Sequence, residues 1–351
     1  MRILNRAFEK NENFNNFLLT KEIKIWYDID KYKRREMGSK IHHIIEVKQF
    51  KSRELLEEIF SLARGMEVAD KSGEYGKLAL PQTPRKKILA TLFYEPSTRT
   101  RLSFESAMIR LGGEVISTED APVFSSVTKG ESLVDTIRVT ASYADVIVLR
   151  HYEEGSSKIA SEVSPVPIIN AGDGTGQHPT QALLDMFTIQ KELGRIDNLE
   201  VGLVGDLLYG RTVHSLTYLL AQQKGIKLYF ISPEEIKMPR DIISYLEEEQ
   251  KVPFEETTDL KEIVSKVDIL YVTRIQKERF RNVEDYTKMK GIYVIDNEIL
   301  SLMKKESRIM HPLPRVDEIA VEVDVDPRAA YFRQVDNGLY VRMALLKMIL
   351  D

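Results

Sequence analysis

The stretch ILATLFYEPSTRTRLSFESAMIRLGG, residues 88–113, decides the fold. Ile88 to Tyr94 is apolar apart from Thr91, the length and texture of a buried strand. A helix is predicted from about Ser97 to Leu111, and Gly112-Gly113 ends it. A buried strand feeding a helix through a short polar turn is the repeating unit of a parallel sheet.

The same rhythm extends in both directions. Upstream, Ser52 to Met66 reads as a helix with Leu55, Leu56, Ile59, Phe60, Leu62 and Ala63 on one face. Residues 74–86 read as a loop. Downstream come a helical run at Ser132–Tyr143, short strands at Val146–Leu149 and Val166–Ile169, and a helix from Pro179 to Leu193 closed by Gly194. The second half predicts strands at Val201–Gly205, Leu228–Ile231, Ile269–Val272 and Ile292–Ile295. Between and after them lie helices at Val213–Gln223, near 239–250, near 259–266 and at Tyr340–Leu350. The expected fold is α/β with two domains, each a parallel β-sheet flanked by helices, and an active site in the cleft between them. Residues 41–180, joined by a C-terminal helix at about 333–351, form one domain, and 181–332 the other.

Residues 1–40 stand apart. They mix charges with scattered aromatics (Phe14, Phe17, Trp26, Tyr27, Tyr32) and hold no apolar stretch of signal-peptide type. A transit peptide is poor in acids, whereas Glu9, Glu12, Glu22, Asp28 and Asp30 occur here. The expectation is a poorly packed extension, with Met37 as an alternative start.

Composition narrows the function classes. The 351 residues carry 50 Lys plus Arg against 54 Asp plus Glu, and no cysteine. That excludes disulfides, thiol nucleophiles and cysteine-based metal sites. A net charge of −4 does not suit a polybasic nucleic-acid binder. No apolar run approaches the roughly 18 residues needed to cross a bilayer. A cytoplasmic α/β enzyme, with neither nucleic acid nor membrane as partner, is the expectation.

The turn Glu95-Pro-Ser-Thr-Arg-Thr-Arg101 lies at the carboxyl end of a strand, where open α/β sheets bind ligands. Ser97 can cap the helix, the first-turn amides carry the positive end of its dipole, and Thr98, Arg99 and Thr100 complete a phosphate cradle. The plainer alternative is a capped helix with Arg101 and Glu105 as an i,i+4 pair. Gly205 to Thr212 approaches a phosphate-binding loop, but Arg211 stands where lysine is required, so a nucleotide site is not expected. Arg211 at a helix start instead invites a carboxylate.

His178 and Gln181 project on the same side of a helix's first turn, opened by Pro179. His311-Pro-Leu-Pro-Arg315 is a rigid turn: prolines on both sides of Leu313 fix its carbonyl direction, suited to gripping an amide NH2. A stiff connecting loop is the alternative. Arg274 and Gln276 end a strand, and Lys129 sits in a loop before the helical run at 132–143. The six histidines lack metal-ligand spacing, so neither a metal nor a cofactor is expected. Arg99, Lys129, Arg150, His178, Arg211 and Arg274 thus all sit at element ends. Such a set suits a small, highly anionic substrate pair: opposite charges at ~4 Å are worth ~4 kcal/mol at an effective dielectric of ~20.

These residues carry a resemblance. FYEPSTRTRLSFESAMIRLGG, KGES, VLRH, HPTQALLD, GDLLYGRTVHSL, TRIQKER and HPLPR follow in the order of the aspartate/ornithine carbamoyltransferase family, aspartate branch, from about Ile44 to Leu350. The resemblance implies carbamoyl transfer from carbamoyl phosphate to L-aspartate, the committed step of pyrimidine synthesis. It implies phosphate binding by Ser97, Thr98, Arg99 and Thr100, and polarisation of the carbamoyl oxygen by Thr100, Arg150 and His178. Gln181 and the turn Pro312, Leu313 and Pro314 would take the carbamoyl NH2. Lys129, Arg211, Arg274 and Gln276 would grip aspartate. Ser125 and Lys129 would come from a neighbouring subunit, implying a homotrimer with shared active sites. Separate regulatory chains stay open. Two alternatives stand beside this reading: a transferase for another amine such as ornithine, whose branch resembles H-C-L-P where this chain has H-P-L-P, and a noncatalytic scaffold.

Overall fold

The computed structural model describes residues 41–74, 76, 79–80, 85–119, 130–277 and 282–351. The extension 1–40, Ser125 and Lys129 lie outside these residues. The first half runs α1 (Arg53–Ser72), β1 (Ile88–Phe93), α2 (Thr98–Arg110), β2 (Glu114–Glu119), α3 (Leu133–Ala141), β3 (Val146–His151), α4 (Ser156–Val163) and β4 (Ile168–Asp173). Helix α5 (Pro179–Leu193) leads into the second half. There follow β5 (Glu200–Val204), α6 (Arg211–Leu220), β6 (Lys227–Ile231), α7 (Arg240–Ser244), β7 (Phe254–Thr257), α8 (Leu260–Val264), β8 (Ile269–Val272), α9 (Val283–Met289), α10 (Asn297–Leu302), β9 (Arg308–Met310) and α11 (Tyr331–Leu350).

The strands form two sheets with orders β2-β1-β3-β4 and β7-β6-β5-β8-β9, and every pairing is parallel. Interior strands are buried along almost their whole length, as the unbroken apolar run at 88–93 requires. Helix ends follow local chemistry. Ser52 Oγ accepts from Leu55 N at 3.3 Å, and Gly73, at φ 73°, closes α1. Pro179 opens α5, and Gly194, at φ 72°, ends it.

Two sequence expectations are corrected, and one strand is added. Helix α1 continues to Ser72 rather than Met66, because no breaker precedes Gly73. Ile292–Ile295 is not a strand: the segment lies between the left-handed Gly291 and the cap Asp296, and only Ile295 bridges, to Ile319. The edge beside β8 is taken by Arg308–Met310, too short to register as a periodic pattern. Edge strands β2 (EVISTE) and β7 (FEET) also lack apolar runs, unlike edge strand β4, which is buried throughout.

Helix α11 returns to the first half and packs on α1, α2 and α5. Tyr340 Oη donates to Asp70 at 3.2 Å, and Lys347 Nζ to the Ala79 carbonyl at 3.0 Å. Among the described residues no helix is long and apolar enough to cross a membrane. The carboxyl ends of β1, β3, β5, β8 and β9 feed residues into one cavity of about 770 Å³.

Candidate active site

Strand β1 delivers the turn Glu95–Thr100, and Ser97, Thr98, Arg99 and Thr100 all line the cavity. Ser97 occupies the cap position of α2, but at φ −159° and ψ 81° its hydroxyl makes no capping bond. The expected Ser97 cap is therefore absent, so among the described residues no cap side chain takes the first amides of the helix. An anion at the dipole's positive end would meet that need. The Arg101–Glu105 pair exists too, at 4.0 Å, on a helix whose opening turn faces the cavity.

Arg150 arrives from the end of β3 and Arg211 from the start of α6. Both approach the Glu95 carboxylate, at 3.4 and 3.1 Å. Arg211 also donates to the Gly174 carbonyl at 2.6 Å. Gly172, at φ 111°, lets its guanidinium lie flat on the backbone: a Cβ there would stand 3.0 Å from Cζ. Arg211 thus belongs to the second sheet's layer but is seated by residues of the first.

Arg274 and Gln276 follow β8, directed by a close backbone approach: a Cβ on Gly205 would lie 2.2 Å from the Thr273 carbonyl. The buried Asp206 accepts from Gln276 N and Nε2, both at 3.4 Å. Burial pushes the Asp206 carboxyl up, and the bonds from Tyr209 and Gln276 pull it back. Burial and then the neighbouring Arg274 pull the Arg99 guanidinium below its ordinary value. Two cations held this close favour an anion between them.

Other lining groups are uncharged, although Arg342 lines the cavity among them. His178 is buried, its backbone N–H held by Ser215 Oγ at 3.0 Å, and its Nδ1 has no hydrogen-bond partner among the described residues. Burial, and then Arg211, Arg150 and Arg342, hold its pKa well below 6.5, so the ring is uncharged at neutral pH. One turn of helix away, Gln181 Nε2 donates to Asp185 at 2.9 Å.

Pro312, Leu313 and Pro314 also line the cavity. His311 organises that turn: its Nδ1 accepts from Leu313 N at 2.7 Å, so in the neutral ring Nε2 carries the proton given to Glu318 at 2.7 Å. The other Glu318 oxygen accepts from Val316 N and Asp317 N, each at 3.1 Å. Leu313 sits at φ 50°, and the Leu313–Pro314 peptide is cis. Left-handed backbone costs on the order of 1 kcal/mol for a residue with a Cβ, and the His311 bond holds it in place.

Family models decide the lineage. Residues 42–191 match the aspartate/ornithine carbamoyltransferase carbamoyl-P binding domain, and residues 197–349 match its Asp/Orn binding domain. The chain belongs to the aspartate/ornithine carbamoyltransferase family. It is 55% identical over 308 residues to the chloroplastic aspartate carbamoyltransferase of Arabidopsis thaliana, covering 88% of this chain and 77% of that protein. The catalytic subunit of Methanocaldococcus jannaschii aspartate transcarbamoylase superposes with a TM-score of 0.80 at 52% identity, over 88% of this chain and 98% of that one. Aspartate transcarbamoylase from Trypanosoma cruzi, solved with carbamoyl phosphate and aspartate, gives 0.81 at 41% identity, over 88% and 96%.

Within this family member, sequence reasoning brought together Ser97–Thr100, Arg150, His178, Gln181, Arg211, Arg274, Gln276 and Pro312–Pro314, and the structure lines one cavity with all of them. It gave no role to Glu95, Asp206, Gln334 or Arg342. Glu95 carries a readable signal, an acid at a strand end within a basic turn. Asp206 also follows its strand directly, in Gly205-Asp206. Gln334 and Arg342 lie on α11, where nothing local separates them from ordinary surface residues.

Proposed function

We propose that this chain transfers the carbamoyl group of carbamoyl phosphate to the α-amine of L-aspartate, giving N-carbamoyl-L-aspartate and phosphate, in de novo pyrimidine synthesis. The observation that carries this reading is one cavity lined both by several arginines and by uncharged groups with fixed acceptors. Ser97, Thr98, Arg99 and Thr100 hold the phosphate; Thr100, Arg150 and His178 face the carbamoyl oxygen. Gln181 and the carbonyls of Pro312 and Leu313, stiffened by Pro314, accept from the carbamoyl NH2. Arg211, Arg274 and Gln276 bind the aspartate carboxylates.

The neutral amine attacks the carbamoyl carbon, forming a C–N bond and an oxyanion stabilised by those donors. The bond to the phosphate oxygen then breaks, and phosphate leaves with the amine proton. No protein nucleophile is needed. Much of the acceleration comes from holding two anions together that repel each other in water. An ornithine side chain would bring a third cation toward Arg99 and Arg274, already repelling each other, which favours aspartate. Retention of the whole polar set argues against a scaffold.

Residues 41–180 with α11 act as the carbamoyl-phosphate half, and 181–332 as the aspartate half, supported by the packing of α11 on α1, α2 and α5. Ser125 and Lys129 from a neighbouring copy complete the aspartate end in a homotrimer. The "catalytic subunit" name of the Methanocaldococcus relative supports separate regulatory chains as partners. The proposed compartment is the cytoplasm, supported by composition; the Arabidopsis relative's name places that protein in the chloroplast.

The deciding experiment is a colorimetric assay for carbamoyl aspartate, with ornithine as control acceptor. Product with aspartate alone is expected; citrulline formation, or no turnover, overturns the reading. Native mass spectrometry tests the trimer.

A further inference from the structure

Behind the uncharged lining groups lies a chain of hydrogen bonds with a fixed direction. It begins at the backbone N–H of His311, which can only donate and gives its proton to Gln334 Oε1 at 2.9 Å. With its oxygen so used, the Gln334 amide must present Nε2 at its other end. Nε2 donates to Asp185 Oδ1 at 2.7 Å. The same Oδ1 accepts from Gln181 Nε2 at 2.9 Å, while Oδ2 accepts from Tyr271 Oη at 2.8 Å. Asp185 is fully buried, which pushes its pKa up, and the buried Arg342 pulls it back.

The direction of this chain decides which end of Gln181 meets the cavity. A side-chain amide can turn end for end at little cost unless its partners forbid it. Whether Asp185 is ionised or carries its proton on Oδ2 beside Tyr271, Oδ1 only accepts, so Nε2 of Gln181 is the end that faces it. Oε1 is then the end offered to the cavity that Gln181 lines. The far end of the chain is the backbone of His311, which starts the turn carrying Pro312 and Leu313. One carboxylate thereby ties both groups of acceptors together.

We propose that Asp185 is a positioning residue that makes this site select an amino group: through Gln334 and Gln181 it presents oxygen acceptors to the NH2 side of the transferred group. The inference rests on the proposed carbamoyl transfer. It goes further by naming what separates a carbamoyl from an acyl donor of the same size. Acetyl phosphate is the natural probe, since a methyl group replaces NH2 and needs no acceptor. In its transfer the C–N bond forms, the bond to the phosphate oxygen breaks, and phosphate takes the amine proton, as with carbamoyl phosphate.

The test is the ratio of kcat/KM for carbamoyl phosphate to that for acetyl phosphate, both with aspartate and read by phosphate release. In D185L the ratio is expected to fall about tenfold or more, because Gln181 is free to turn, while acetyl transfer itself stays within about threefold. D185N keeps an acceptor at Oδ1, and its ratio is expected to stay within about threefold of the parent. A folded D185L with an unchanged ratio overturns the proposal. So does a parallel loss with both donors, or a D185N ratio as low as that of D185L. If D185L does not fold, Q334M breaks the chain one link earlier and is expected to lower the ratio likewise; an unchanged ratio there overturns the proposal. Parent enzyme that makes no carbamoyl aspartate would instead overturn the reaction reading itself.

Discussion

The two sets of groups lining the cavity are built on different physical plans. In the cationic set, Arg99, Arg150, Arg211 and Arg274 come from four separate element ends, and Glu95 with the Gly174 carbonyl seats Arg150 and Arg211. In the second set, Gln181 and the 311–314 turn are held by a continuous buried network through Asp185, Gln334 and Glu318, while the His178 ring stands beside it with Nδ1 unpartnered among the described residues. The first set supplies charge for binding two anions. The second supplies direction, and low polarity that keeps His178 uncharged among three arginines. Removing a group from the first should weaken binding of charge; disturbing the second should cost geometry.

The largest expected effect is in the cationic set. Arg99→Ala should lower kcat/KM for carbamoylation by about 10³-fold or more, since it removes a charged donor from the phosphate. Turnover near the parent rate would break the contrast outright. Next comes His178→Ala, with kcat down about 10²-fold and KM for carbamoyl phosphate changed less, as expected for a donor to a developing oxyanion. Because burial keeps His178 uncharged, its titration should leave no inflection in the kcat profile between about pH 6 and 8. Arg274→Ala should act mainly on binding, raising KM for aspartate about tenfold with a smaller change in kcat.

Smaller effects test the neutral set through stability. Glu318→Ala leaves the His311 Nε2 proton and two backbone amides without their acceptor, at a cost of about 1–3 kcal/mol read by denaturant titration. An unchanged midpoint would show that the 311–318 turn is held by something else. The pH dependence of stability has a definite sign. His178 and His311 have folded pKa values pushed below 6.5 by burial, so the unfolded chain binds protons there that the native one refuses. Their contribution is present above 6.5 and lost as pH falls below it. Asp185, raised to about 7 by burial, works the other way: its contribution is present below 3.8 and lost as pH rises through about 7. With His43, His151 and His214 also lowered and Asp173 and Asp206 also raised, five histidines outweigh three carboxyls, so the melting temperature should fall between about pH 7 and pH 5, more steeply in Asp185→Asn.

The cationic set is legible in the sequence because its residues flank elements that announce themselves. Arg99 follows an apolar run at 88–94, Arg211 follows Gly210, and Arg274 follows Ile269–Val272. Strand ends of parallel sheets are where ligands sit, so position alone suggests a role. The neutral set is legible only at its surface, as His178, Gln181 and the proline-bracketed Leu313. Asp185 and Gln334 are 149 positions apart and meet only because α11 packs back across α5. The same distance problem hid β9, a three-residue strand whose place depends on β8 beside it.

By itself the sequence determined the fold class, the order of most elements and the positions of the groups that bear charge, because periodicity and turn chemistry are local properties of a chain. The tertiary structure alone decided which acid seats Arg150 and Arg211, which end of Gln181 meets the cavity, and the neutral state of His178. Those depend on burial and on hydrogen-bond partners distant in sequence, and neither exists until the two sheets and α11 have come together.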